Sequence, residues 1–181
     1  MRLGNWQQTF MGVAFYPADP RRHEVLILDV AHALAHQCRF GGHCQEFYSV
    51  AQHSLHVELL LRKRGNYCRE VLLGALLHDA TEAYLVDLPR PVKLMLPDYQ
   101  EMERRLHNEL RSFFGFMDHE DIKWADEVAL ATEKRDLMSP EPLPWGRLPS
   151  PDPERIQPVS PATAKVLFLD RFNQLYYGFD P

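Results

Sequence analysis

Apolar residues recur through most of the chain at helical spacing, and the densest run is Val71-Leu-Leu-Gly-Ala-Leu-Leu-His-Asp-Ala-Thr-Glu-Ala-Tyr-Leu-Val86. A segment this hydrophobic on every side predicts a buried helix, over about Cys68 to Leu85. Upstream, Asp29 reads as the N-cap of a helix from Val30 to Cys38, and Arg39 to Tyr48 reads as a loop. Ser49 then caps a second helix, Val50 to about Arg64, whose basic last turn precedes Gly65. Downstream, Pro89 and Pro91 make Asp87 to Lys93 a stiff connecting loop. Tyr99, Met102, Leu106, Leu110 and Phe113 fall at steps of three or four and predict an amphipathic helix over Asp98 to Phe114. Another helix runs from Asp118 or His119 to about Met138. A last one, Ala162 to Tyr177, offers Val166, Leu169, Phe172 and Tyr176 as a docking stripe. The aromatic end, Phe168, Phe172, Tyr176, Tyr177 and Phe179, reads as core or a dimer contact. Only the first 20 residues carry strand-like alternation, in Trp6 to Gly12 and Val13 to Tyr16. The expected fold class is all-α, a helical bundle with a small N-terminal extended or hairpin segment.

Composition narrows the setting. The 181 residues suit a single domain, 1–181, with a core over 29–138, a segment over 139–161 holding eight prolines, and the docking helix 162–177. Apolar content of 45% and charged content of 25% are ordinary for a globular protein. A net charge of −5 argues against a partner that is polymeric nucleic acid or an anionic membrane. No stretch approaches the roughly 20 apolar residues of a membrane span, and no signal-peptide core follows Met1. Cys38, Cys44 and Cys68 form no C-x-x-C pair. A cytoplasmic, reducing compartment is expected.

The apolar run poses an electrostatic problem, because it holds His78, Asp79 and Glu82. On a regular helix Glu82 lies one turn beyond both of the others, so the three share one sector. A lone carboxylate buried there would cost several kcal/mol, which calls for a compensating cation. His53 on the second helix and Asp126 on the later one can converge with His78 and Asp79 in a bundle core. Imidazole and carboxylate donors suit one divalent ion of the Mn, Fe, Co, Ni or Zn type, and Mg less.

His53, then His78-Asp79 in an apolar helix, then Asp126 in Trp124-Ala-Asp-Glu, resembles the H…HD…D signature of the HD-domain metal-dependent phosphohydrolases. The flanks Tyr48-Ser-Val-Ala-Gln-His-Ser, Leu76-Leu-His-Asp-Ala-Thr-Glu and Asp87-Leu-Pro-Arg-Pro-Val-Lys are similar to the subgroup holding bacterial deoxynucleoside 5′-monophosphatases of the YfbR type and small phage dATP triphosphohydrolases. The resemblance runs from about Arg39 to Met138. It implies His53, His78, Asp79 and Asp126 as metal ligands, Glu82 as general base or orienter of the attacking water, and Asp87 as helper of the leaving group. It further implies Arg39 and Lys93 as phosphate contacts. Phe40 stands where the family has a tryptophan that packs on the sugar and disfavours a 2′-OH, so the wall is smaller here. His43 lies in the loop that carries Arg39 and is expected to line the site. The implied function is metal-dependent hydrolysis of a deoxynucleotide phosphate in a bacterial cell or phage-infected host. A dNTP is the first candidate, dATP ahead of the others, and a deoxynucleoside 5′-monophosphate is the alternative. A reading of another class is a catalytically silent module that binds a nucleotide or a structural metal. A homo-oligomer is compatible with all of these.

Overall fold

The apolar run becomes a central helix, but a shorter one than its pattern predicts. In the computed structural model, which describes residues 1–178, the helices are α1 (Ile27–His36), α2 (Val50–Arg64), α3 (Arg69–Leu77), α4 (Glu82–Leu85), α5 (Arg90–Lys93), α6 (Pro97–Phe114), α7 (Glu120–Leu137) and α8 (Pro161–Tyr177). A two-stranded antiparallel hairpin precedes them, β1 (Gln7–Gln8) and β2 (Ala14–Phe15), with Gln7 opposite Phe15 and Gln8 opposite Ala14. The molecule is all-α with a small N-terminal hairpin, as the sequence pattern predicts. Phe179 lies outside the described residues.

Every residue from Val71 to Leu77 is buried, and α3 is flanked by α2 and α8. Gly74 lets α3 press against the turn before α7: a Cβ there would overlap the Met117 carbonyl, and Met117 N–H donates to Glu70 O at 3.0 Å. Beyond Leu77 the chain keeps turning but tightens. Ala80, Glu82, Ala83 and Tyr84 each donate to the carbonyl three residues back. This is the winding of a 3₁₀ helix, in which residues three apart eclipse. Asp79 and Glu82 are therefore aligned by the tightened turn, not by a continuous α-helix from Cys68 to Leu85.

Other boundaries move for identifiable reasons. Asp29 is not the N-cap of α1. It lies within the first turn, where its Oδ1 accepts from Met11 N–H at 2.7 Å and ties the helix to the hairpin turn. The helix ends at His36, two residues short of Cys38. The stiff loop after Asp87 contains one helical turn, α5, in which Pro91 occupies an early position where no N–H is needed. On α8 the docking stripe is Ala164, Phe168, Phe172 and Leu175, while Val166 is 65% exposed and Tyr176 faces partly outward. Turning Phe168 inward in place of Val166 removes more apolar surface from water.

The proline-rich segment has no regular structure, yet it is pinned as a wrap across α2 and α7. Asp152 N–H donates to Thr132 Oγ1 at 2.9 Å, Ile156 N–H to Asp136 Oδ2 at 3.0 Å, and Val159 N–H to Gln52 Oε1 at 3.0 Å. Among the described residues no helix is long and apolar enough to cross a membrane.

Candidate metal centre

Helix α2 starts cleanly because Ser49 Oγ accepts from Gln52 N–H at 3.1 Å, and this fixes His53 one turn in, with no exposed surface. The His53 Nδ1 edge meets the buried carboxylate of Glu133 at 2.6 Å, so Nδ1–H donates and Nε2 carries the lone pair. His78, at the end of α3, hydrogen-bonds through Nδ1 to the Ala75 carbonyl at 2.8 Å, which leaves its Nε2 free in the same way. The two Nε2 atoms face each other at 3.3 Å. Asp126 Oδ1, from α7, lies 3.2 Å from His53 Nε2; Asp79 Oδ2 lies 3.5 Å from His53 Nε2 and 3.2 Å from His78 Nε2.

Lone pairs of two imidazoles and two carboxylates converging at such distances repel unless a positive charge sits among them. Donors about 2.1 Å from a shared ion, at roughly right to tetrahedral angles, are about 3.0–3.4 Å apart. The group of buried His53 with half-buried His78 and Asp126 can hold a metal ion. Without one the cluster gathers protons. Burial and the Arg39 charge push the His53 imidazole down, but Glu133 and Asp126 outweigh them and raise it to about 10. Burial opposes ionisation of Asp79 and Asp126, and the neighbouring histidines hold both carboxylates below their ordinary range.

Beside this cluster opens a cleft of ≈340 Å³, walled by Arg39, Phe40, Asp79, Glu82, Asp87, Lys93 and Asp126 with Arg90 at its edge. Glu82 is buried, with Oε1 3.8 Å from Lys93 Nζ and Oε2 unpartnered. Burial and the charges of Asp79 and Asp87 raise its carboxyl well above the usual range. Burial likewise raises Asp87, even though Arg39 pulls it down. Gln37 orients both positions, donating from Nε2 to the Glu82 carbonyl at 2.9 Å and accepting from Asp87 N–H through Oε1 at 3.0 Å. The hairpin braces the same turn: Phe15 stacks on Tyr84 with ring centroids 3.9 Å apart, and Gln7 Nε2 donates to the Tyr84 carbonyl. Lys93 Nζ is also held by Glu103 at 2.7 Å.

Arg39 and Phe40 lie in the 3₁₀ turn Arg39–Gly42 that follows α1. Arg39 pairs with Glu133 at 3.1 Å and with Asp79 at 3.6 Å. Phe40 is left-handed, at φ 56 and ψ 29, which turns its ring to the mouth of the cleft. His43 is the exception among the expected site residues. It is exposed, at the end of that turn, and does not line the cleft, because the turn directs residues 41–43 outward. Glu133 and Trp145 are the residues the pattern missed. Glu133 is seven residues beyond Asp126, hence on the same face of α7, and that spacing was the available signal. Trp145 comes from the proline-rich wrap and lies beside Phe40, centroids 5.8 Å apart, with no spacing to announce it.

No family model matches the chain. It is 38% identical over 173 residues to the Escherichia coli K12 protein described as "Uncharacterized protein YfdR", covering 93% of this chain and 94% of that one. It is also 38% identical over 114 residues to an uncharacterized Rhodobacter capsulatus protein, covering 61% and 58% of the two chains.

Proposed function

The chain belongs to the family of E. coli YfdR, and we propose, from its own cleft, that it is a metal-dependent phosphohydrolase acting on deoxynucleotides. The observation that carries this reading is Glu82, a buried carboxylate with one oxygen unpartnered, facing a cleft that Asp79 and Asp126 of the cluster line together with Arg39 and Lys93. In this reading His53, His78, Asp79 and Asp126 hold one divalent ion of the Mn, Co, Zn, Fe or Ni type. Such an ion supplies Lewis acidity and brings ionisation of water towards neutral pH.

The chain's own groups perform the rest. Arg39 presents a planar fork to phosphate oxygens and Lys93 a point charge, together neutralising charge on the phosphoryl group. Glu82 orients the attacking water and takes its proton as the new P–O bond forms. Asp87, whose carboxyl burial raises, donates a proton to the departing oxygen as the old P–O bond breaks. Phe40 packs on the sugar. A dNTP is the favoured substrate because a third cation, Arg90, stands exposed at the cleft with no carboxylate partner among the described residues; dATP comes first by the sequence resemblance alone. A deoxynucleoside 5′-monophosphate would need only the inner two.

Incubating the protein with each dNMP and dNTP in Mn²⁺, Co²⁺, Zn²⁺ or Mg²⁺ and resolving products by ion chromatography tests this. Triphosphate or stepwise phosphate release from a dNTP is expected. Orthophosphate from dNMPs alone would select the monophosphatase, and no release with any metal would leave a silent binding module.

A further inference from the structure

We infer that Glu133 is a positioning residue that serves the metal and the phosphate at once, an inference resting on the reading above for what Arg39 binds. Its side chain is fully buried and both oxygens are committed, Oε1 accepting from His53 Nδ1 at 2.6 Å and Oε2 from Arg39 Nη2 at 3.1 Å. The first bond selects the tautomer that turns the His53 Nε2 lone pair towards Asp79, Asp126 and His78. The second holds Arg39 against the cleft wall, with Nη1 3.6 Å from Asp79 Oδ2. One carboxylate thus aims both a ligand for the cation and a ligand for the anion.

Glutamine is the discriminating substitution. It has the shape of glutamate but only one acceptor, so its carbonyl satisfies either His53 or Arg39 and its amide confronts the other N–H. If the amide faces His53, the favoured ring tautomer carries its proton on Nε2 and cannot ligate. If it faces Arg39, the guanidinium is pushed off its seat. A buried carboxylate serving only as a structural counter-charge would change stability when replaced and leave both affinities alone.

Cobalt(II) titration followed by visible absorbance gives a metal Kd that requires no turnover, and KM for dATP reads the phosphate side. Glu133→Gln is expected to raise the Co²⁺ Kd at least tenfold, or else to spare it and raise KM at least tenfold with a smaller change in kcat. Glu133→Asp, which keeps the charge but is one methylene short of spanning both partners, is expected to restore one of the two and not both. Unchanged Kd and KM in folded Glu133→Gln would overturn the inference. Should that variant not fold, nitrogen NMR of Zn²⁺-loaded wild type decides: His53 ligating through Nε2, with a hydrogen-bonded Nδ1 proton, supports it, and ligation through Nδ1 refutes it. A wild-type protein that binds Co²⁺ but hydrolyses nothing defeats the hydrolase reading, and the Co²⁺ Kd together with the dATP Kd, in place of KM, then decides the part of Glu133.

Discussion

Glu82 has two roles with opposite signs. Its burial, beside Asp79 and Asp87, disfavours the charge and raises the carboxyl, so it costs the fold stability. Glu82→Gln keeps the shape and removes that charge. We expect its denaturation midpoint to equal or exceed wild type while kcat falls by about 10²–10⁴, the usual contribution of a general base; a fall in both would mark Glu82 as structural. Val86 carries a second local cost. It is β-branched, exposed, and held at φ 71 beside Asp87, a conformation worth about 1–3 kcal/mol of strain. Val86→Gly is expected to stabilise by about 1 kcal/mol once the greater freedom of the unfolded chain is subtracted, and to lower turnover by loosening Asp87. Thermal melts alongside kinetics check both. At this scale the cluster of His53, His78, Asp79 and Asp126 was legible because ionisable residues inside apolar helices stand out. Glu133 was not, because Glu127, Lys134 and Arg135 around it make α7 read as a solvated face.

Helix α3 shows where periodicity stops informing. The hydrophobic pattern runs unbroken to Leu85, and over four residues a winding of 3.6 or of 3.0 per turn places the same residues inside. Only the hydrogen bonds distinguish them, and those of Glu82, Ala83 and Tyr84 run three residues back. Close packing against Met117 gives α3 its own test: Gly74→Ala is expected to destabilise by about 1–3 kcal/mol, read from the urea midpoint, because the added methyl must displace backbone. The wrap over α7 gives another. Asp136 bonds Arg135 and accepts from Ile156 N–H, and these interactions hold its carboxyl below the ordinary 3.8, outweighing partial burial. A depressed carboxyl contributes fully above about pH 4, and its contribution fades as pH falls through the folded value. Asp136→Asn should therefore lower the midpoint at pH 7 and flatten its decline below pH 4. The proline spacing alone left open whether this segment was pinned or free, since the anchors sit on α2 and α7.

Across the molecule, the all-α architecture and most helix positions followed from hydrophobic spacing, capping residues and proline breaks, because each acts locally. What did not follow was how distant segments brace the cleft: the hairpin through Phe15 and Gln7, α1 through Gln37, the wrap through Trp145. Those contacts join residues far apart in the chain and carry no periodic signature. The position of α8 belongs to the same class. It packs on α1, α2 and α3, burying Phe168 and Phe172 among them, although among the described residues it is the last helix to be synthesised. A nascent chain leaving the ribosome therefore exposes the apolar faces of α1 and α3 until residues 161–177 emerge, and the helices bearing His53 and His78 await that closing piece. A chain cut before Pro161 would present chaperones with an open core, whereas one that includes Pro161 to Tyr177 is able to close.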